Sequence, residues 1–268
     1  MKDLWVPLSG AKAQQNYIDV LANNVANINT TAHKRDQVSF EEELNYLNNP
    51  EQDDLIPTKE WTPEQFYQTR NMESGFVHTR GTYTDFSQGQ LTPTGNPLDF
   101  ALEGEGFFEV LTPRGIRYTR DGHFSFNSEG EVVNARGDRL LAQSNANAAE
   151  GEDLSKRFIK LSGRKISVNN QGEISSERGP IAKMALVDFL DKNALKKEGG
   201  SYYVSSHPEN KTSSLAVVHQ SHLEQSNVNG VLEMSELIKA HRHFDSIYKV
   251  LKTYDQIEGK SVSEIAKF

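Results

Sequence analysis

Between residues 226 and 258 the chain reads SNVNGVLEMSELIKAHRHFDSIYKVLKTYDQIE. Within it Leu237, Ala240, Phe244, Ile247, Leu251 and Tyr254 fall at alternating steps of three and four. That is the spacing of a helix that lays one narrow apolar seam against another helix. The positions between them, such as Lys239, Arg242, Asp245, Lys249, Lys252 and Asp255, are polar. Asn227 or Asn229 can cap the start, and Gly259 can end the helix. A helix of roughly 30 residues runs about 45 Å, long for one compact domain. Such a seam needs a partner, and only the other end of the chain offers one. Over residues 3–29, Leu4, Leu8, Ala11, Gln15, Ile18, Ala22, Val25 and Ile28 repeat at four-three spacing, and Leu21 reinforces the face. Pro7 sits in the opening turns, where its missing N–H is tolerated. Asn23, Asn24, Asn27 and Asn29 soften the end. Two such helices can pair within one monomer or pack into a shared multi-subunit tube. A coiled coil buried within a globular enzyme is the plainer alternative.

The stretch between the helices changes character twice. Residues 36–75 are acidic, broken by Pro50, Pro57 and Pro63, and read as a partly extended connector. From residue 76 to residue 221 short apolar runs alternate with turn residues. Phe107–Leu111, Ile116–Thr119, His123–Asn127 and Glu131–Asn134 read as consecutive strands, with more near Lys165–Asn169, Glu173–Ser175, Lys183–Phe189 and Ser201–Ser205. Pro113-Arg114-Gly115, Asp121-Gly122, Ser128-Glu129-Gly130 and Arg136-Gly137-Asp138 supply turns. Strands this short predict a meander or small barrel. The expected class is α+β. The N-terminal helix (1–35) and the C-terminal helix (222–268) pair as one coiled-coil unit, joined through the connector (36–75) to a central β domain (76–221).

Composition narrows the function. The chain has 268 residues, a formal net charge of -8 and no run of Lys and Arg, which argues against nucleic acid as a partner. It has no cysteine, so disulfides and thiolate metal sites are excluded. Mean hydropathy is negative, yet 13 Phe and 9 Tyr supply a core. No apolar run reaches the roughly 20 residues of a membrane span, and the N-terminus lacks the pattern of a cleaved signal peptide.

Candidate chemistry is thin. Gly104-Glu105-Gly106 lacks the third glycine and following helix of a dinucleotide loop, because Phe107 and Phe108 open a strand. Asp99, Glu103, Glu105 and Glu109 read as solvated strand-edge carboxylates without a matched second pair or base. His241 and His243 point to different sides of a helix, and His33 stands alone. No nucleophile elbow occurs. The expectation is no catalytic, metal or cofactor-binding residue, and a structural subunit or, alternatively, a binding or scaffold module that uses the β-domain surface.

Three segments carry a resemblance. LANNVANINTTAHKRDQVSF (Leu21–Phe40) resembles the segment that closes the first helix of the flagellar axial rod and hook proteins, with Asn23, Asn24, Ala26, Asn27, Thr30, Lys34 and Arg35 matching. The usual Gly-Phe of that segment is Ala32-His33 here. GNPLDFALEGEGFFEV, with Gly104, Gly106, Phe107 and Phe108, followed by YTRDGHFSFNSEGEVV, is similar to that family's core β motif. LEQSNVN, with Ser226, Asn227 and Asn229, and then KVLKTYDQ resemble the opening and continuation of its last helix. The length and single β domain fit a rod subunit rather than the longer hook protein. Ala32-His33 and the KTYDQIEGKSVSEI ending favour a proximal-rod member over a distal-rod one.

The resemblance implies a subunit that the flagellar type III apparatus exports without a cleaved signal peptide. It implies assembly with copies of itself and other rod subunits into a periplasmic tube that transmits torque. The seam residues Leu8, Ala11, Ile18, Leu21, Val25, Ile28, Leu237, Ala240, Phe244, Ile247, Leu251 and Tyr254 are then the expected subunit interface.

Overall fold

A computed structural model of the protein describes residues 5–45, 74–143, 157–161, 166–177, 179–199 and 201–265. Leu4, most of the expected connector (46–73) and Lys165 lie outside these residues. The protein has an N-terminal helix, a central mostly β region and a C-terminal helix, the α+β arrangement the sequence predicts.

Helix α1 covers Trp5–Ala26 and stops earlier than the sequence pattern suggests. Asn27 N–H donates to Asn24 C=O at 3.1 Å and Ile28 N–H to Val25 C=O at 3.4 Å, so three-residue turns close the helix at its Asn-rich end. Helix α2 covers Gly230–Ile265, 36 residues, and runs straight through Gly259. A glycine stops a helix by entering the left-handed region, and Gly259 is not among the positive-φ glycines.

The chain forms two compact units. The first holds residues 1–23, 36–83 and 231–268. Besides the helices it contains strands β1 (Asp36–Asn45) and β2 (Ser74–Thr84), which pair in a two-stranded sheet. Both flanks of the expected connector are therefore strand. The Phe40 ring of β1 meets Tyr17 of α1 edge-on at 5.8 Å.

The second unit holds residues 24–35 and 84–230. Its centre is a nine-stranded sheet that begins with β5 (Phe107–Thr112), β6 (Gly115–Thr119), β7 (Phe124–Phe126), β8 (Val132–Asn134) and β9 (Arg139–Leu140). It is completed by β13 (Leu186–Phe189), β14 (Leu195–Glu198), β15 (Tyr202–Ser205) and β16 (Lys211–Ser213). Strands β10 (Ile166–Val168), β11 (Glu173–Ser176) and β12 (Gly179–Lys183) make a separate three-stranded sheet. The order β14-β15-β6-β5-β9-β8-β7, with β13 also pairing β5, is not a meander. Two further ladders pair distant segments: β3 (Leu91–Pro93) with β18 (His222–Glu224), and β4 (Phe100–Glu103) with β17 (Val217–Gln220).

Strand β5 is covered on both faces, and the pleat divides its apolar residues between two cores. Phe108 and Val110 join Phe100, Leu102, Phe124 and Leu140. Phe107 joins Val187, Phe189, Leu195 and Tyr203 on the other side. Ring contacts at 5.5–6.0 Å tie Phe107 to Tyr203, Phe86 and Phe189.

The ladder of β18 lies past residue 221, so the unit extends beyond the expected boundary. A fragment spanning 24–230, which keeps both segments of the second unit, is expected to melt in one cooperative transition. A fragment spanning 24–221 lacks β18 and is expected to melt lower; differential scanning calorimetry of the two compares them.

Candidate assembly site

The expected site residues fall into two groups, one in each unit. In the first unit, α1 and α2 meet over a short patch. Ile18, Leu21 and Ala240 are buried together, with Tyr17, Leu237 and Phe244 packed against them. Gln14 Nε2 donates to the Ala240 carbonyl at 3.2 Å. Ala11 is also buried, whereas Gln15 and Ala22, expected on the seam, are exposed. The buried stripe therefore runs through Gln14 and Leu21, one residue before the expected positions. Val25 is half-buried, and so is Ile28, which lies against Gly230. Ile247 and Leu251 are half-buried, and Leu8 and Tyr254 are exposed.

Beyond the patch, α2 presents bare apolar side chains. Val231, Met234, Ile238, Tyr248, Val250 and Ile257 are exposed, Ile238 at 55% and Tyr248 at 61%. The expected seam omitted these six. Val231, Met234 and Ile238 fall at steps of three and four, and Val250 and Ile257 stand seven apart, a spacing that finds most of them. Helix α2 has 36 residues against 22 in α1, so about 21 Å of it has no length of α1 to lie on. Exposed apolar side chains on more than one face of a helix offer contact surface.

In the second unit, the segment that follows α1 and the segment that precedes α2 are clasped together. Lys34 is fully buried, and its Nζ donates to Glu224 Oε1 at 2.6 Å and to the Ser87 carbonyl at 2.7 Å. Burial lowers the Lys34 pKa, and the Glu224 carboxylate opposes that shift. Glu224 also accepts from Gly89 N–H at 2.9 Å and from Arg120 Nη1 at 3.3 Å. Arg120 Nη2 donates to the Gly104 carbonyl at 2.6 Å, and its guanidinium lies 5.5 Å from the Phe107 ring centre. A Cβ on Gly89 would sit 2.0 Å from the Gln225 carbonyl oxygen, so only glycine lets these two segments approach so closely.

Asn227 does not cap α2. Its Oδ1 accepts from Arg35 N–H at 2.8 Å, and its Nδ2 donates to the carbonyls of Asp85 and Ser87 at 2.9 and 3.1 Å. Asn229 stands immediately before the helix, and Ser226 Oγ accepts from Val228 N–H at 3.3 Å. Ala32 N–H donates to the Glu224 carbonyl at 2.8 Å, and Ala32 has φ 55, the left-handed region that a glycine enters without cost. The departure from Gly-Phe thus falls on a backbone conformation that suits glycine. Asn24 is buried at the end of α1, Asn23 and Ala26 are exposed, and Thr30 Oγ1 donates to Asn27 Oδ1 at 3.1 Å. At Gly106, φ is 153 and a Cβ would lie 2.1 Å from Ser214 Oγ. Of the motif residues, Lys34, Gly106, Phe107 and Phe108 are buried inside the unit, Arg35 and Asn227 are half-buried, and Gly104 is exposed.

Two of the four expected edge carboxylates are not solvated. Glu103 and Glu105 are exposed, and Glu105 is held below the usual carboxylate range by its bond to Lys192. Glu109 is buried between Arg157 at 2.6 Å and Lys211 at 2.8 Å. Burial and the Glu109 charge push the neighbouring Tyr118 phenol up to about 12. Asp99 is buried and accepts from Thr94 Oγ1 at 2.6 Å and Asn96 Nδ2 at 2.9 Å, with His123 Nδ1 at 2.8 Å. Thr94 and Asn96 of its own loop and the more remote His123 meet Asp99, and Arg157 and Lys211 reach Glu109 from far along the chain, which makes burial tolerable. Asp99→Ala is therefore expected to cost about 2–3 kcal/mol, because three donors lose their acceptor. Glu103→Ala should cost under about 0.5 kcal/mol. Urea denaturation of both variants checks the difference.

Among the described residues, no group of three or more His, Asp and Glu side chains is placed to hold a metal, and no helix is long and apolar enough to cross a membrane. His241 and His243 are exposed, and His33 is buried.

Comparison with known proteins matches the same segments. Residues 6–34 match the flagella basal body rod protein family, residues 101–176 the flagellar hook protein FlgE/F/G D1 domain, and residues 219–264 the C-terminal family of flagellar basal body rod FlgEFG proteins. The chain is 28% identical to the flagellar basal-body rod protein FlgF of Caulobacter vibrioides, over 98% of both chains. It is 31% identical to FlgG of Buchnera aphidicola subsp. Baizongia pistaciae, over 96% of this chain and 97% of the relative. FlgF of Rhizobium meliloti is 29% identical, over 98% and 97%. Identities to FlgF-named and FlgG-named relatives overlap, so they do not separate a proximal-rod from a distal-rod member. With all three segments matched in order and relatives of both names aligned nearly end to end, the chain belongs to the flagellar basal-body rod protein family.

Proposed function

We infer that the chain is a structural subunit of the bacterial flagellar basal-body rod, polymerising through its terminal helices into the periplasmic tube that transmits torque. The observation that carries this reading is the bare apolar surface of α2, which is longer than the helix it packs on. A row of exposed side chains, each contributing roughly 1.5–3 kcal/mol when fully buried, supports subunit contacts but not a lone helix in water. Contacts between different patches on successive copies build an open filament when the rotation from copy to copy does not close a ring. The interface is formed by Leu8, Tyr254 and the exposed apolar residues of α2, with the half-buried Val25, Ile28, Leu237, Phe244, Ile247 and Leu251, while Ile18, Leu21 and Ala240 hold the two helices of one copy together and Ala11 is buried. Pairing of α1 and α2 as a coiled coil is completed by neighbouring copies. The partners are copies of this chain, other rod subunits and the flagellar type III export apparatus, through which it leaves the cytoplasm. The role is mechanical and non-enzymatic.

The test is to remove the chain from its cell and image basal bodies by electron cryotomography. Rods should be absent or cut short and swimming lost, and both should return with the full-length chain. Complete rods in the deletion strain would overturn the reading.

A further inference from the structure

The turns between β5 and β6 and between β8 and β9 lie at one end of the nine-stranded sheet, and side chains of β6, β14 and β15 come together with them. They enclose a cleft of about 470 Å³ whose walls include Arg114, Arg117, Arg136, Asp138, Glu198 and Tyr202. Glu198 is gripped by Arg114 Nη1 at 2.9 Å and by Arg117 Nε at 2.5 Å. Asp138 is buried, bonded by the Tyr202 hydroxyl and 3.4 Å from Asn134 Nδ2. The Arg136 guanidinium lies 5.1 Å from the centre of the Tyr202 ring and donates one hydrogen bond, 3.3 Å long, to the Gly199 carbonyl. Arg114 spends one donor on Glu198 and keeps a side chain 75% exposed. A guanidinium has five N–H donors in a fixed fork that matches a carboxylate. Two arginines with donors to spare therefore border a cleft in which a carboxylate is already held by the same chemistry.

We propose that this cleft binds a carboxylate side chain presented by an acidic peptide segment. Charge selects the ligand. Three guanidiniums face two carboxylates, which leaves one formal positive charge, the complement of a single carboxylate. A phosphate dianion would exceed that charge beside Asp138 and Glu198. The ring of Tyr202 and the ring of Pro113 flank the cleft and give apolar cover to the methylene stem of an incoming Glu, which acetate lacks. The site is independent of the helices and does not rest on the rod reading.

The experiment is isothermal titration calorimetry of the full chain at low salt with N-acetyl-tetraglutamate amide. Binding should be saturable at one site and should weaken with added salt. Arg136→Gln, or Arg114→Gln if the first variant does not fold, should weaken it about tenfold. Glu198→Gln should tighten it, because Arg114 and Arg117 are released to the ligand; a merely structural role for Glu198 would not do this. Arg80→Gln, which alters an exposed pair with Glu41 elsewhere, should leave affinity unchanged. The proposal is overturned if no saturable binding occurs or if the arginine variants bind with unchanged affinity. It is also overturned if acetate or phosphate displaces the peptide at equal concentration, which would make this a general anion site.

Discussion

Lys34→Met is expected to destabilise the second unit by about 3–5 kcal/mol, the cost of breaking a buried ion pair by removing one member. The Lys34 ammonium and the Glu224 carboxylate are fully buried, and the substitution leaves Glu224 facing only Arg120 and Gly89 N–H. It also strips the Ser87 carbonyl of its lysine donor. Methionine keeps most of the stem volume, so the loss reports charge rather than a cavity. Thermal denaturation should fall on the order of 10 °C for a unit of this size. Lys34→Met combined with Glu224→Gln should cost much less than the sum of the two single changes, since each removes what the other leaves unpaired. A single-variant cost below about 1 kcal/mol, or additive losses, would show that the clasp is held by its backbone bonds alone. The segments that Lys34 and Glu224 join lead directly into α1 and α2 along the chain, so the same variant should also assemble poorly.

Phe244→Asp is expected to abolish assembly while leaving the second unit folded. Phe244 packs against Ile18, Leu21 and Ala240, and its ring stacks on Tyr248 at 6.5 Å. Aspartate would place an unpaired charge at an apolar contact and remove an aromatic side chain, a loss of about 3–5 kcal/mol when such a residue is truncated in a core. In a filament the change recurs in every subunit. Lys252→Asp, an exposed position on the polar face of α2, should be mild by comparison. Both variants are expressed in cells lacking the chain, then basal bodies are imaged and swimming is measured. The circular dichroism of the purified Phe244 variant should keep its β signal. A complete rod built from Phe244→Asp subunits would falsify the helix-face mechanism.

The helices and most β-domain strands were legible in the chain because their signals are local. A seam at three-four spacing needs only its own thirty residues to be read, and strands such as Phe107–Thr112 are bounded by turn residues beside them. Ala32 was also visible as a departure from a glycine, and its positive φ gives that departure a physical meaning. Tertiary structure decided the rest, for reasons of distance and charge. Strands β3 and β18 have three residues each, too short to carry a period, and they exist because they find one another across the chain. Lys34, Asp99, Glu109 and Glu224 look like surface residues to any local rule, since burying a lone charge is costly. They are buried because Glu224, His123, Arg157 and Lys34 reach them from remote segments. Asn227 reads as a helix cap from its neighbours, yet bonds to Arg35 and Asp85 that sequence order keeps far away. The sequence alone determined where apolar faces lie along each helix. Only the fold decided that α1 covers part of α2 and leaves the remaining apolar residues bare, because coverage depends on the partner's length and placement rather than on the helix's own pattern.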